Sequence, residues 1–189
     1  MEPLTRESII SKVDKGESLS GFDLSHADLS YSNLKKGNFS RADLSGAHLQ
    51  NANLEEANLS GANLENAFLF GANLKGANLE GVNFKGTNLQ DTNLEKANLK
   101  GADLQKISLF GAQLDGANLE GAVLCEAKLK RASLVNANLK GADLSGAHLQ
   151  RAVLKNANLT GANFKGANLK NAVLTGAKTE KADFTNCVK

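Results

Sequence analysis

The sequence predicts an all-β solenoid, a parallel stack of short straight segments joined by identical corners. Three observations predict it. Leu or Phe stands at every fifth position from Leu19 to Phe184, with Thr179 the one exception among 34 positions. Two residues before each of them Ala stands in 26 cases, so nearly every unit offers two inward side chains separated by one polar residue. Several residue columns recur again at a period of 20, which sets how many units close one coil.

A period of five fits neither the 3.6 of an α-helix nor the 2 of a long strand. The Ala–polar–Leu triplet has the in–out–in alternation of a very short strand. The next two residues must turn the chain. The second of them is Gly or Asn in 22 of the 34 units. Those residue types accept the positive φ that a type II turn requires at its third position.

The period of 20 is visible in Gly61, Gly81, Gly101, Gly121, Gly141 and Gly161, and in the Asn column from Asn38 to Asn158. Charge alternates down two further columns: Lys35, Glu55, Lys75, Glu95, and Glu80, Lys100, Glu120, Lys140. Stacked coils place each residue about 4.8 Å from its equivalent. Opposite charges attract there and like charges repel. Four units per coil therefore account for both patterns. The 34 units then make about 8.5 coils and a rod about 40 Å long.

In chain order, residues 1–16 form an N-terminal capping segment. Thr5–Lys15 reads as a short helix with Thr5 as N-cap, Ile9, Ile10 and Val13 on one face, and Gly16 as the stop. Its expected place is over the first coil, where Phe22 replaces the usual Ala as an inward plug. The repeats fill residues 17–186, and 187–189 read as a C-terminal tail. A second helix is not expected there, so the last coil would leave core side chains and unpaired backbone open.

The unit Ala-Asn-Leu-x-Gly, repeated over residues 17–186 without an insertion, resembles the pentapeptide-repeat family. The resemblance implies a right-handed quadrilateral parallel β-helix and homodimerisation through the C-terminal end. The residues expected at that dimer end are Phe164, Leu174, Thr179, Phe184 and Val188.

Bulk properties bound the function. Formal net charge is +2, too close to neutral to announce a nucleic-acid or strongly acidic partner. The N-terminus lacks the apolar core of a signal peptide, and no stretch approaches the roughly 20 apolar residues of a membrane span. A cytoplasmic protein without a membrane role is expected. Cys125 and Cys187 match no zinc or redox spacing and read as free thiols. His26, His48 and His148 occupy two surface columns, and His48 and His148 are separated by five coils, about 24 Å, so they cannot share a metal. No nucleophile–base set or phosphate loop is present. The expectation is a non-enzymatic scaffold with no cofactor.

Within that scaffold one face stands out, the face centred on Leu29, Leu49, Leu69 and their equivalents. Its polar columns are interrupted by Phe68, Phe70 and Phe110, and clustered outward apolar residues mark contact sites. Inward on the same face Thr87 and Ile107 replace Ala, which is expected to swell the wall beneath the patch. Further along come Lys128, Lys130, Arg131, Arg151 and Lys170. Residues 1–94 carry 8 basic and 12 acidic side chains, and residues 95–189 carry 14 and 8, so the rod is a weak dipole. These residues point to an acidic partner protein docking across the Phe patch and the basic strip. The gyrase-directed DNA-mimic branch of the family is the alternative. It requires a rod clothed in negative charge, which the basic C-terminal half opposes. Nucleic-acid binding through five basic residues is a further, weaker alternative. The string Ala-Asp-Leu-Ser-Gly-Ala-His-Leu-Gln occurs at 42–50 and again at 142–150. The offset is five whole coils, as growth by coil duplication would leave it.

Overall fold

Parallel bridges join the middle residue of each short segment to its equivalent 20 positions on, from Asp23↔Asp43 to Asn168↔Val188, with Asn83 and Asp103 the one pair left unbridged. The computed structural model describes residues 4–189. Four short segments per turn therefore wind into a four-sided stack. The ladder includes Val188, so the repeat does not stop at 186, and residues 187 and 188 continue it instead of forming a separate tail.

The backbone bonding of one unit explains the period of five. The Leu24 N–H donates to the Asp43 carbonyl of the next coil at 2.7 Å. Two residues later the His26 N–H donates to the Ser45 carbonyl at 2.9 Å. The Ala27 N–H closes a turn on the Leu24 carbonyl at 3.2 Å, the i to i+3 bond of a β-turn. The residue before that Ala takes positive φ at every corner. Gly fills many of these positions, but so do Lys36, Arg41, Glu56, Asp91 and Arg151, at φ between 53° and 60°. A non-Gly residue pays roughly 1–2 kcal/mol there. The inter-coil bonds on both sides of the corner hold it in place.

Inside, the Leu column is buried from Leu19 to Leu169 and the Ala column from Ala42 to Ala167, with Ala27 half-buried at the first coil. Each buried Leu contributes roughly 1.5–3 kcal/mol. Ala beside it keeps the coil narrow. Gly37 shows how tight that space is. It stands in the Ala column with an ordinary φ, and a Cβ there would meet the ring of Phe39. Phe39 is larger than the usual Leu, and Gly37 makes room for it.

The outward Asn residues do two jobs. The Asn38 Oδ1 accepts the Ser40 N–H at 3.2 Å and holds the corner. The Asn58 Nδ2 donates down to Asn38 Oδ1 at 3.4 Å, and the chain continues through Asn78, Asn98, Asn118, Asn138 and Asn158. The side-chain donation always runs toward the N-terminal coil. Asp can accept from above but cannot donate below, as Asp43 and Asp143 do from Asn63 and Asn163. The charged column of Lys35, Glu55, Lys75 and Glu95 pairs as Lys35–Glu55 and Lys75–Glu95, each at 3.0 Å. The column of Glu80, Lys100, Glu120 and Lys140 forms no ion pair among the described residues; Glu120 accepts instead from the Asn138 amide at 3.3 Å. Exposed pairs of this kind are worth about 0.2–1 kcal/mol, so a missing pair costs the rod little.

Helix α1 (Arg6–Asp14) covers the first coil as expected. Thr5 caps it by accepting the Ser8 N–H at 3.2 Å, and Ile9 and Val13 are buried against the stack. Ile10 and Phe22 pack there half-buried. Arg6 fastens the helix with Nη2 donating to the Ser30 carbonyl at 2.6 Å.

Two outcomes follow for stability. Gly37→Ala should destabilise the rod by about 1–3 kcal/mol through overpacking, and Phe39→Leu in the same chain should recover most of it, measured by thermal melting. The second concerns acid. Hydrogen bonds from the hydroxyl and N–H two residues on hold Asp23, Asp28 and Asp183 below the ordinary aspartate range. For Asp143 burial pushes the carboxyl up, but bonds from the Cys125 thiol, Ser145 and Asn163 outweigh it and lower it. A depressed carboxylate contributes stability that is fully present above its unfolded pKa and is lost as pH falls through the folded value. The melting temperature should be flat from pH 7 to about 5 and fall below about pH 4, less steeply in Asp143→Asn.

Candidate functional site

The corner and strand columns of the face centred on Leu49, Leu69 and Leu89 carry its chemistry. The strand column runs Asp28, His48, Phe68, Asn88, Ser108, Lys128, His148, and its bridges place each above the last. Most faces put Asn here, where the amide ladder uses it. Phe68 cannot join such a ladder. It stands 47% exposed, with the His48 ring edge-on at 5.1 Å between centroids. Phe70, one column over, is 44% exposed.

Phe110 shares the Phe70 column two coils on, but it is less open than the sequence suggests. The Arg131 guanidinium lies over its ring, 5.9 Å from the centroid, and the ring is half-buried. That contact is a cation–π arrangement, so Arg131 belongs to both the aromatic patch and the basic strip. Between the two Phe, Gln90 turns along the face and donates to the Ser108 hydroxyl at 2.8 Å. Tyr31, at a corner of the same face near the N-terminal end, is 76% exposed. It stands in the same corner column as Arg131 and Arg151, and the sequence analysis did not single it out.

Lys128, Lys130, Arg131, Arg151 and Lys170 are all exposed along this face and its corner. None of them takes part in an ion pair among the described residues. Their charge is available to a partner. Thr87 and Ile107 are buried. The bonding between coils is disturbed beside them, on this face as well as on the neighbouring one: the Ser108 N–H does not bond the Thr87 carbonyl, the Asn88 N–H reaches the Ala67 carbonyl only at 3.4 Å, and the Phe84 N–H does not bond the Asp103 carbonyl.

At the C-terminal end the expected dimer residues divide. Leu174 and Phe184 are half-buried, and Thr179 and Val188 are exposed, Val188 at 51%. Phe164 lies one coil deeper and is fully buried, its ring stacked on Phe184 at 4.9 Å. It cannot be touched from outside, because Phe184 covers it. A cleft of about 380 Å³ opens on this end, lined by Leu169, Ala172, Leu174 and Phe184 with Asn171 and Lys189.

Among the described residues no group of three or more His, Cys, Asp or Glu is placed to hold a metal ion. Both cysteines are free. Burial pushes the Cys125 and Cys187 thiols up from their ordinary values, and the Asp143 carboxylate raises Cys125 further. Neither is set up as a nucleophile, which needs a lowered pKa. Among the described residues no helix is long and apolar enough to cross a membrane.

A four-sided stack of five-residue units, built on inward Leu and Ala and positive-φ corners, defines a class of repeat protein. The pentapeptide-repeat profile matches eight copies between residues 18 and 188, and the chain belongs to the pentapeptide-repeat family. Among solved structures it is similar to HetL, a pentapeptide repeat protein involved in heterocyst differentiation regulation in the cyanobacterium Nostoc sp. strain PCC 7120. That likeness has 32% identity over 97% of this chain and 96% of HetL, with a TM-score of 0.72. It is also similar to Rfr23 from the cyanobacterium Cyanothece 51142, at 36% identity over 52% of this chain and 65% of Rfr23, with a TM-score of 0.36. QnrB1, a plasmid-mediated fluoroquinolone resistance protein, aligns at 24% identity over 89% of this chain and 85% of its own, with a TM-score of 0.47. A search of curated proteins finds no match. The stack is thus a right-handed β-helix.

Proposed function

We propose that this protein is a non-enzymatic interaction scaffold of about 8.5 coils that presents one rigid face to an acidic partner protein, in a regulatory role of the kind carried by HetL. The observation that carries the reading is the outward pair Phe68 and Phe70, about half exposed on a surface of Asn, Ser, Lys and Glu, with an unpaired basic strip further along the same face. Apolar anchors with a charged surround are the arrangement of a docking surface. Rigid solenoids offer such surfaces because each coil is held only by its neighbours in a fixed register. The DNA-mimic reading is less well supported, since the net charge is +2 and the basic excess lies in residues 95–189. Free, unreactive thiols favour a reducing compartment, and the cytoplasm is the proposed setting. Phe68→Ser combined with Phe70→Ser should abolish capture of an acidic partner from native lysate while leaving the melting temperature within a few degrees. Unchanged capture by the doubly substituted rod would remove this face from consideration.

The open C-terminal coil supports a second proposal, that two copies stack end to end. Leu174 and Phe184 line an apolar cleft there that nothing in the described chain covers. Light scattering at micromolar concentration should give twice the monomer mass, and Phe184→Glu should return it to the monomer.

A further inference from the structure

On the Phe-bearing face the corner bond that Asn normally supplies is repeatedly missing. Where Asp28, Asn88 or Asn168 stands in the strand column, its Oδ1 accepts the N–H two residues on, from Ser30, Gln90 and Lys170, at 3.0–3.1 Å. His48, Phe68, Ser108, Lys128 and His148 fill the other places in that column. None of them replaces the bond. The N–H groups of Gln50, Phe70, Phe110, Lys130 and Gln150 therefore have no acceptor among the described residues. Ser108 has a hydroxyl oxygen, but it receives the Gln90 amide at 2.8 Å. These donors can be reached from outside. The Asn that would otherwise meet them is an outward side chain lying over the face, so a donor without it is open to whatever lies there instead.

Three of the five fall in successive coils, and the basic strip surrounds them. Phe110, Lys130 and Gln150 present their N–H groups about 4.8 Å apart, the coil spacing. Arg131 and Arg151 follow the last two directly at the corner, Lys128 stands in the strand column beside them, and Lys170 lies on the next coil. All four side chains are exposed and none is in an ion pair among the described residues. Asp91 is the acid nearest in these columns. It leans over the Gly111 corner, where a Cβ would meet its carboxylate, so the pull on an anion is strongest at Lys130 and Gln150.

We propose that this column is a carboxylate ladder, which takes a row of Glu or Asp side chains from an acidic helix of the partner. Given the docking role proposed for this face, the ladder is what recognises the partner's acids. Each carboxylate accepts one backbone N–H, and the neighbouring Arg or Lys neutralises it. Side chains three and four residues apart on a helix are about 5–6 Å apart, close to the spacing of the donors. A hydrogen bond to an ionised acceptor is roughly twice as strong as a neutral one. Backbone donors held by the stack lose no side-chain freedom on binding, unlike Lys and Arg. Nucleic acid fits the strip less well. Unpaired bases need open rings to stack on, and the ring beside these donors, Phe110, lies under the Arg131 guanidinium.

Restoring Asn closes the donors and leaves the Lys and Arg side chains alone. Ser108→Asn combined with His148→Asn gives the Phe110 and Gln150 N–H groups an internal acceptor. The probe is a terminally blocked helical peptide about 24 Å long, with Glu at every fourth position and Ala and Gln between. Binding to the full chain is read by fluorescence titration and by amide NMR. In the parent the Phe110, Lys130 and Gln150 amide resonances should move downfield with added peptide, and that of Gln50, free but far from the strip, should stay. The Asn variant should bind about tenfold more weakly while melting no lower than the parent. Arg131→Gln with Arg151→Gln should weaken binding as well. An Asn variant that binds as tightly as the parent would overturn the ladder; if the Arg variant alone lost affinity, the face would remain a docking surface read by side-chain charge. Binding that neither variant alters would overturn both the ladder and the choice of face. A single-stranded oligonucleotide that binds more tightly than the peptide at equal salt would overturn the proposal in favour of nucleic acid.

Discussion

The hydrogen bond from one coil to the next is the constraint from which the rest of the structure follows. Each coil alone is four short segments with no partner, and a three-residue strand is far below independent stability. Stacking gives every segment a neighbour above and below at fixed height. That height demands flat coils, and flat coils demand corners that turn within two residues. Positive φ at the corner, a small residue beside each Leu and a polar residue between them are all consequences. The same constraint decides what fails: bulk in the Ala column lifts one coil from the next, as Val82 and Ile107 do, because the core has no slack in which to absorb it.

The ladder also explains why the four faces differ in meaning. On the face centred on Leu79 and Leu99, Asn follows Asn and each amide is occupied by its neighbours. Such a face is satisfied and has little left to offer. Where Phe68 or Lys128 interrupts the column, the side chain is released from the ladder and turned to solvent. Side chains are released to solvent where the repeat is broken, and the aromatic breaks fall on one face.

Much of this was legible in the sequence because the fold is nearly one-dimensional. Leu at every fifth place, Ala two before it and the columns at 20 are local regularities, and they placed the core, the corners and the register. The helix over the first coil was legible from Thr5, Ile9, Val13 and Gly16 in the same way. What was not legible needed side chains to be compared across coils. Arg131 covers Phe110 because a long side chain crosses from one column to another. Phe164 is hidden because Phe184 stacks on it. The gap beside Phe84 arises from substitutions that are each mild alone. Val for Ala, Thr for Ala and Ile for Ala are unremarkable singly, and here they fall on two facing coils.

The downward donation of the Asn amides gives the rod a direction, and with it a grammar for growth. A coil bearing Asn can be laid on any coil that presents an acceptor, but a coil bearing Asp can only begin a run. Asp43 and Asp143 each begin one, and they stand at the same place in the two copies of Ala-Asp-Leu-Ser-Gly-Ala-His-Leu-Gln. Asp103 above Asn83 ends one run, and Val123 above it begins none. The gap between those coils therefore has the character of a seam, where one block of repeats was laid upon another without its outer thread being joined.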